Sequence, residues 1–162
     1  MFARFAMVAA ALLMLAACSN KPEPAAIGGA AGLGGPGSNS SRFGPGSQQD
    51  LAATAGDRIF FDFDRADINA EAQQILQRQA QWLKRYPNVS VTIEGHCDER
   101  GTREYNLALG ERRAQAAKNV LVALGIPASR VSTISYGKER PAVPGSSEDA
   151  YAQNRRAVTT VN

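Results

Sequence analysis

Residues 93–114, IEGHCDERGTREYNLALGERRA, set a local architecture to which the rest of the chain has to conform. Val89, Val91 and Ile93 alternate with Ser90, Thr92 and Glu94, which reads as a half-buried strand ending at Gly95. A turn dense in glycine and charge follows. A helix then opens at about Thr102 or Arg103, with Leu107, Gly110, Ala114, Ala117, Leu121 and Leu124 as its expected buried stripe. Gly125 is placed to cap it and Pro127 to prevent its continuation. Where a strand end, a loop and a helix N-terminus meet, unpaired backbone N–H groups converge with the positive end of the helix dipole. The functional site is expected there.

The flanking segments carry the same two periodicities. In RIFFDFD, Ile59, Phe61 and Phe63 alternate with Arg58, Phe60 and Asp62, predicting a first strand with one apolar face. Asn69 is an N-cap with Glu71 in the first turn, and Ala72, Ile75, Leu76, Gln79, Ala80 and Leu83 recur at helical spacing until Pro87. Residues 131–136 (VSTISY) read as a third strand, 137–147 as a charged loop, 149–154 as a short helix and 157–161 as a last strand. This order predicts an α/β chain of the α+β sandwich type, a mixed sheet of about four strands with both long helices packed on one face and no internal repeat.

The first 56 residues are different in kind. Residues 1–17 hold one early charge, Arg4, and then an apolar run of roughly 13 residues, short of the roughly 20 that span a bilayer, which reads as a secretory signal. The run ends Leu15-Ala16-Ala17-Cys18, which looks like a bacterial lipobox, so lipidation of Cys18 is expected. Ser19 stands where an inner-membrane retention signal places Asp, which points to the periplasmic face of the outer membrane. Residues 18–56 are rich in Gly, Pro, Ala and Ser and cannot bury enough apolar surface to offset their own ordering entropy. They read as a tether of about 38 residues with a typical reach of roughly 30–37 Å, leaving residues 57–162 to fold. The formal net charge of +3 includes Arg4, and the interleaving of Glu99, Glu104 and Glu111 with Arg100, Arg103, Arg112 and Arg113 argues against nucleic acid as a partner. With Cys18 lipidated, Cys97 has no partner within the chain, and no disulfide framework is possible.

Three separated motifs, GHCDERGTREYNLALGERRA, ISYGKERP and NRRAV, are similar to the OmpA-like peptidoglycan-binding domain, and the likeness covers essentially all of residues 57–162. The resemblance implies non-covalent binding of the diaminopimelate stem peptide of peptidoglycan, without a cofactor. It also implies membership of the Tol-Pal system of envelope integrity and cell division, with TolB and the other Tol-Pal proteins as partners. By family position Asp98 is the acid and Arg113 the base of the site, with Phe63, Asp64, Asn106 and Leu109 completing the pocket. The chemistry is compatible, because a zwitterionic ligand offers an ammonium to Asp98 and a carboxylate to the planar fork of Arg113.

Each assignment has a structural alternative. Asp98 could cap or neutralise the helix start, Arg113 could be a solvated charge or a partner of Glu111 or Asp98, Asn106 could shape the loop, Phe63 reads as core rather than ligand platform, and Asp64 could close an Asx turn. Asn154, Arg155 and Arg156 read as structural, and Asp62 makes the rim more acidic. Neither Asp98 nor Arg113 sits on an apolar stripe, so truncating either is expected to leave the fold intact. Two functions of other classes remain open: a protein-protein scaffold that keeps the fold without binding the wall, and a thiol enzyme using Cys97. His96, Cys97 and Asp98 leave a strand on alternating sides and so do not line up as a hydrogen-bonded catalytic series. A lone His with a lone Cys lacks metal-ligand spacing.

Overall fold

The computed structural model describes residues 43–162, so the signal segment, Cys18 and most of the tether lie outside the described residues. Four strands form one mixed sheet in the order β1-β4-β2-β3, with β1 at Arg58–Phe60, β2 at Val91–His96, β3 at Val131–Gly137 and β4 at Arg156–Val161. Strands β2 and β3 run parallel, which requires a crossover, and helix α3 (Arg103–Ala123) supplies it. The C-terminal β4 inserts antiparallel between β1 and β2.

Helix α2 (Ala70–Arg85) starts where Asn69 accepts the Ala72 N–H at 2.8 Å, and α3 starts where Thr102 accepts that of Tyr105 at 3.2 Å. Gly125 takes the left-handed φ of +92° that ends α3. Both long helices lie on the sheet face that carries Ile59, Val91, Ile93, Val131 and Ala157, and Leu76, Leu83, Ala114, Ala117 and Leu121 fill the layer between. Among the described residues no helix is long and apolar enough to cross a membrane.

One contact fixes the height of α3 above the sheet. A Cβ added at Gly95 on β2 would lie 1.8 Å from the Gly110 carbonyl oxygen on α3, and one at Gly110 would lie 2.3 Å from Ser135 Oγ. Only paired glycines permit backbone to meet backbone so closely.

The structure corrects several expectations. The folded part begins before Asp57, because residues Gln48–Thr54 form a helix, α1, capped by Ser47. Leu51 is fully buried in the core, the Asp50 carboxylate accepts from Trp82 Nε1 at 3.1 Å, and Gln48 accepts the Val161 N–H of β4 at 2.8 Å. The boundary expected at residue 56 therefore falls inside the folded part, which already includes Ser47 and α1. Strand β1 stops at Phe60; Phe61 remains buried and donates its N–H to the Arg155 carbonyl, but the chain then turns at Asp64, whose φ is +56°, and Phe63 is 58 % exposed. Leu107 is also exposed, because the buried face of α3 runs through Asn106, Leu109, Gly110, Arg113 and Ala114. Helix α4 spans Glu148–Asn154, close to its expected limits.

Candidate functional site

Asp98, Arg113, Phe63, Asp64, Asn106 and Leu109 all line a single cavity of about 150 Å³. Cys97, Arg100, Gly101 and Tyr105 line it as well, and were not expected from the sequence. The walls come from the turn after β1, the loop between β2 and α3, and the first half of α3.

Arg113 is buried to 0 % exposure, and its guanidinium is aimed at three backbone carbonyls: Arg65 at 2.8 Å, His96 at 2.8 Å and Asp62 at 3.1 Å. This is neither the solvated charge nor the partner of Glu111 or Asp98 that the sequence left open. The three bonds stitch the turn after β1 to the end of β2. They leave two of the five guanidinium N–H groups uncommitted. No acidic side chain of the described residues forms an ion pair with Arg113. Burial pulls the guanidinium pKa down, opposed by the nearby Cys97 and Asp98. A cation so buried costs several kcal/mol of lost hydration, and three charge-assisted bonds of about 1.5–3 kcal/mol each offset it.

Asp98 is treated in the opposite way. Its carboxylate receives Arg100 Nη2 at 2.6 Å, Arg100 Nε at 3.2 Å and the Arg100 backbone N–H at 3.1 Å, and Arg155 Nη1 lies 3.5 Å away. Burial alone would raise its pKa, but the hydrogen bonds from Arg100 outweigh that and hold it below the ordinary value. Asp98 does not cap α3, a role taken by Thr102.

The loop between these two charges is held from both sides. Asn106 Nδ2 donates to the carbonyls of Arg100 at 2.7 Å and Thr102 at 3.0 Å, and Lys138 Nζ donates to those of Glu99 at 3.0 Å and Gly101 at 2.7 Å. Gly101, at φ +88°, provides the reversal that folds the loop back along α3 toward Arg113. Asn106 thus shapes the loop while lining the cavity. Asp64 accepts a hydrogen bond from the Tyr105 hydroxyl, which joins the turn after β1 to the first turn of α3. Asn154 binds the backbone of 142 and 143, and Arg155 donates to the Phe61 carbonyl at 3.1 Å, as the structural reading of the NRR motif requires.

The possible catalytic series is not assembled. The Cys97 thiol points to the Asn106 carbonyl at 3.3 Å, and burial pushes its pKa up, away from thiolate. His96 instead packs on Tyr136 with ring centroids 5.6 Å apart, and neither of its ring nitrogens has a hydrogen-bond partner. Glu94 Oε2 stands 3.6 Å from its Nε2. Burial, with the charges of Arg156 and Arg140, lowers the His96 pKa from 6.5 to about 4. The unfolded chain therefore takes up this proton first as the pH falls, so the associated stability is complete above pH 6.5 and is lost progressively down to about pH 4. At about 1.4 kcal/mol per pH unit the full loss is about 3 kcal/mol. His96→Phe keeps the packing on Tyr136 and removes both orphaned nitrogens. Its unfolding free energy, followed by urea denaturation, is expected to fall clearly less than that of wild type over that interval, the remaining slope coming from carboxylates such as Asp98 whose pKa the fold lowers, and a slope equal to wild type would refute the assignment.

Residues 60–155 match the family model described as OmpA family. The peptidoglycan-associated lipoprotein of Agrobacterium fabrum is 58% identical over 149 residues, covering 92% of this chain and 82% of that protein. The protein of the same name from Haemophilus influenzae is 44% identical, covering 97% and 96%. Among solved structures, the peptidoglycan-associated lipoprotein from Burkholderia pseudomallei superposes with a TM-score of 0.64 at 42% identity, over 65% of this chain and 90% of that one. The C-terminal domain of Helicobacter pylori MotB shares the fold at 24% identity and a TM-score of 0.58. The chain belongs to the OmpA family and, within it, to the peptidoglycan-associated lipoproteins.

Proposed function

We propose that the described domain is a binding module and not an enzyme, holding peptidoglycan non-covalently through the diaminopimelate stem peptide. Lipidation at Cys18 joins it to the outer membrane, and TolB and the other Tol-Pal proteins are its protein partners in envelope maintenance and division. The observation that carries the ligand class is the charge arrangement of the cavity. Arg113 is a buried cation with N–H groups to spare and no acidic ion-pair partner among the described residues, while Asp98 across the same cavity is an anion. A ligand carboxylate satisfies the first and a ligand ammonium the second, which is the pairing that the free end of diaminopimelate offers. The protein name shared by the similar chains supports the same reading.

The test is sedimentation of the full chain, purified in detergent, with peptidoglycan sacculi, using free diaminopimelate as competitor. Asp98→Asn keeps the shape and removes the charge that faces the ammonium. It is expected to weaken binding by tenfold or more, the loss of one charge-assisted bond of about 1.5–3 kcal/mol. Wild-type chain that fails to sediment, or an Asp98→Asn variant that binds as wild type does, overturns the assignment in favour of a scaffold role.

A further inference from the structure

Arg100 is held as a ligand would be. Its guanidinium carbon stands 4.1 Å from the centre of the Phe63 ring and 4.4 Å from that of Tyr151, its Nη2 meets Asp98 at 2.6 Å and its Nη1 meets Glu148 at 3.5 Å. Two aromatic faces and two carboxylates around one cation make an aromatic and acidic cage. Its members come from three separate segments: the turn after β1, the loop after β2 and helix α4. Three of the four are held by something other than Arg100: the Tyr151 hydroxyl donates to Glu99 at 2.8 Å, Glu148 receives Arg155 at 2.7 Å, and Asp98 is also paired with Arg155. Arg100 itself stands beside Gly101, and its side chain is 35% exposed against 6% for Asp98. The Asp98 and Tyr151 walls are thus held from outside the cage, whose Phe63 and Glu148 side opens to solvent and gives Arg100 a way out.

We propose that this cage is the subsite for the ligand's ammonium group, that Tyr151 and Glu148 belong to it, and that Arg100 is a built-in pseudo-ligand which the ammonium displaces. The inference rests on the reading of the cavity as a zwitterion site and adds its specificity element. Arg100 lowers affinity for every ligand equally in the absence of an ammonium, so the cage selects for ligands able to replace a guanidinium on both the rings and Asp98. A fixed Arg100 that bound a ligand carboxylate would have the opposite effect on affinity, which makes the sign of the change decisive.

The experiment is calorimetric titration of the full chain in detergent with meso-diaminopimelate and with pimelate, the same dicarboxylate without its amines, for wild type, Arg100→Ala and Tyr151→Leu. Arg100→Ala is expected to bind diaminopimelate about tenfold more tightly, since a partly exposed ion pair with two stacked faces no longer competes. Tyr151→Leu is expected to bind it more weakly, and pimelate is expected to bind none of the three proteins better than diaminopimelate does. Arg100→Ala equal to or weaker than wild type, with wild type binding, overturns the pseudo-ligand alone. Failure of wild type to bind either diaminopimelate or sacculi overturns the zwitterion reading, and this inference with it. Thermal unfolding of Arg100→Ala within a few degrees of wild type excludes a folding defect.

Discussion

Arg113→Ala is expected to destabilise the domain by about 3–5 kcal/mol in addition to emptying the site. The sequence places Arg113 outside the apolar stripe, which predicts a harmless truncation, but the fold uses its guanidinium as an internal strut. Removing it takes the donor from the buried His96 carbonyl and cuts the ties to the Arg65 and Asp62 carbonyls of the exposed turn, of which Asp62 keeps the Arg65 N–H. The buried His96 carbonyl left without this donor costs about 1–3 kcal/mol, and the void left beside Phe61, whose ring centre lies 5.1 Å from the guanidinium carbon, together with the untied turn, brings the rest. For a domain of this size a loss of that order lowers the melting temperature by about 10–20 °C. Arg113→Lys keeps the charge yet offers one ammonium where a planar fork spans three acceptors, so it is expected to fall between the two. Calorimetric melting of the three proteins decides the matter: an Arg113→Ala variant that melts within about 3 °C of wild type removes the strut from the account. The same reasoning makes Asp98→Asn, and not Arg113→Ala, the cleaner probe of wall binding, because loss of binding in the latter has two causes.

Arg113 also shows why the site was only partly legible. Periodicity arguments assign helix faces by apolar residues, and here Asn106 and Arg113 take buried positions that the apolar pattern gave to Leu107. Both polar side chains spend their donors on backbone carbonyls of neighbouring segments, a use that has no local signature. The caps at Asn69, Thr102 and Gly125 were legible because they are local chemistry, and with them the lengths of α2 and α3. Helix α1 was missed for the opposite reason. Its sequence, QQDLAAT, contains a single large apolar residue, and it is held by Gln48, Asp50 and Leu51 reaching β4, Trp82 and the core. Phe63 continued an alternation that Asp64 breaks by entering the left-handed region, which Asp tolerates better than most residues. Tyr151 and Glu148 reach Arg100 from about 50 residues away, beyond any reading of the chain in order.

Gly95→Ala is expected to be the most damaging single-methyl change in the domain. In a strand the substitution ordinarily stabilises, because alanine has fewer unfolded conformations to lose, by about 0.4–1 kcal/mol. Here the new Cβ overlaps the Gly110 carbonyl at 1.8 Å and its carbon at 2.5 Å, and both are backbone atoms that no rotamer change can move aside. Restoring ordinary contact requires α3 to lift from β2 by on the order of 1.5 Å, in an interior packed as densely as an organic crystal. That displacement breaks the 2.8 Å bond from Arg113 to His96, one residue beyond Gly95, and the 2.6 Å bond from Ser135 Oγ to the Leu107 carbonyl. Overpacking alone costs about 1–3 kcal/mol, and the broken bonds take the total beyond about 3 kcal/mol, enough to consume much of the stability of a domain this small. Gly110→Ala provides the control. Its closest obstacle, at 2.3 Å, is the Ser135 hydroxyl, which can be removed, although the Gly95 carbonyl stands behind it at 2.9 Å. Urea midpoints should therefore fall in the order wild type, Gly110→Ala with Ser135→Ala, Gly110→Ala, Gly95→Ala. A Gly95→Ala midpoint at or above wild type would mean that α3 does not rest on β2 through this contact, and the placement of Arg113 over the cavity would then need another cause.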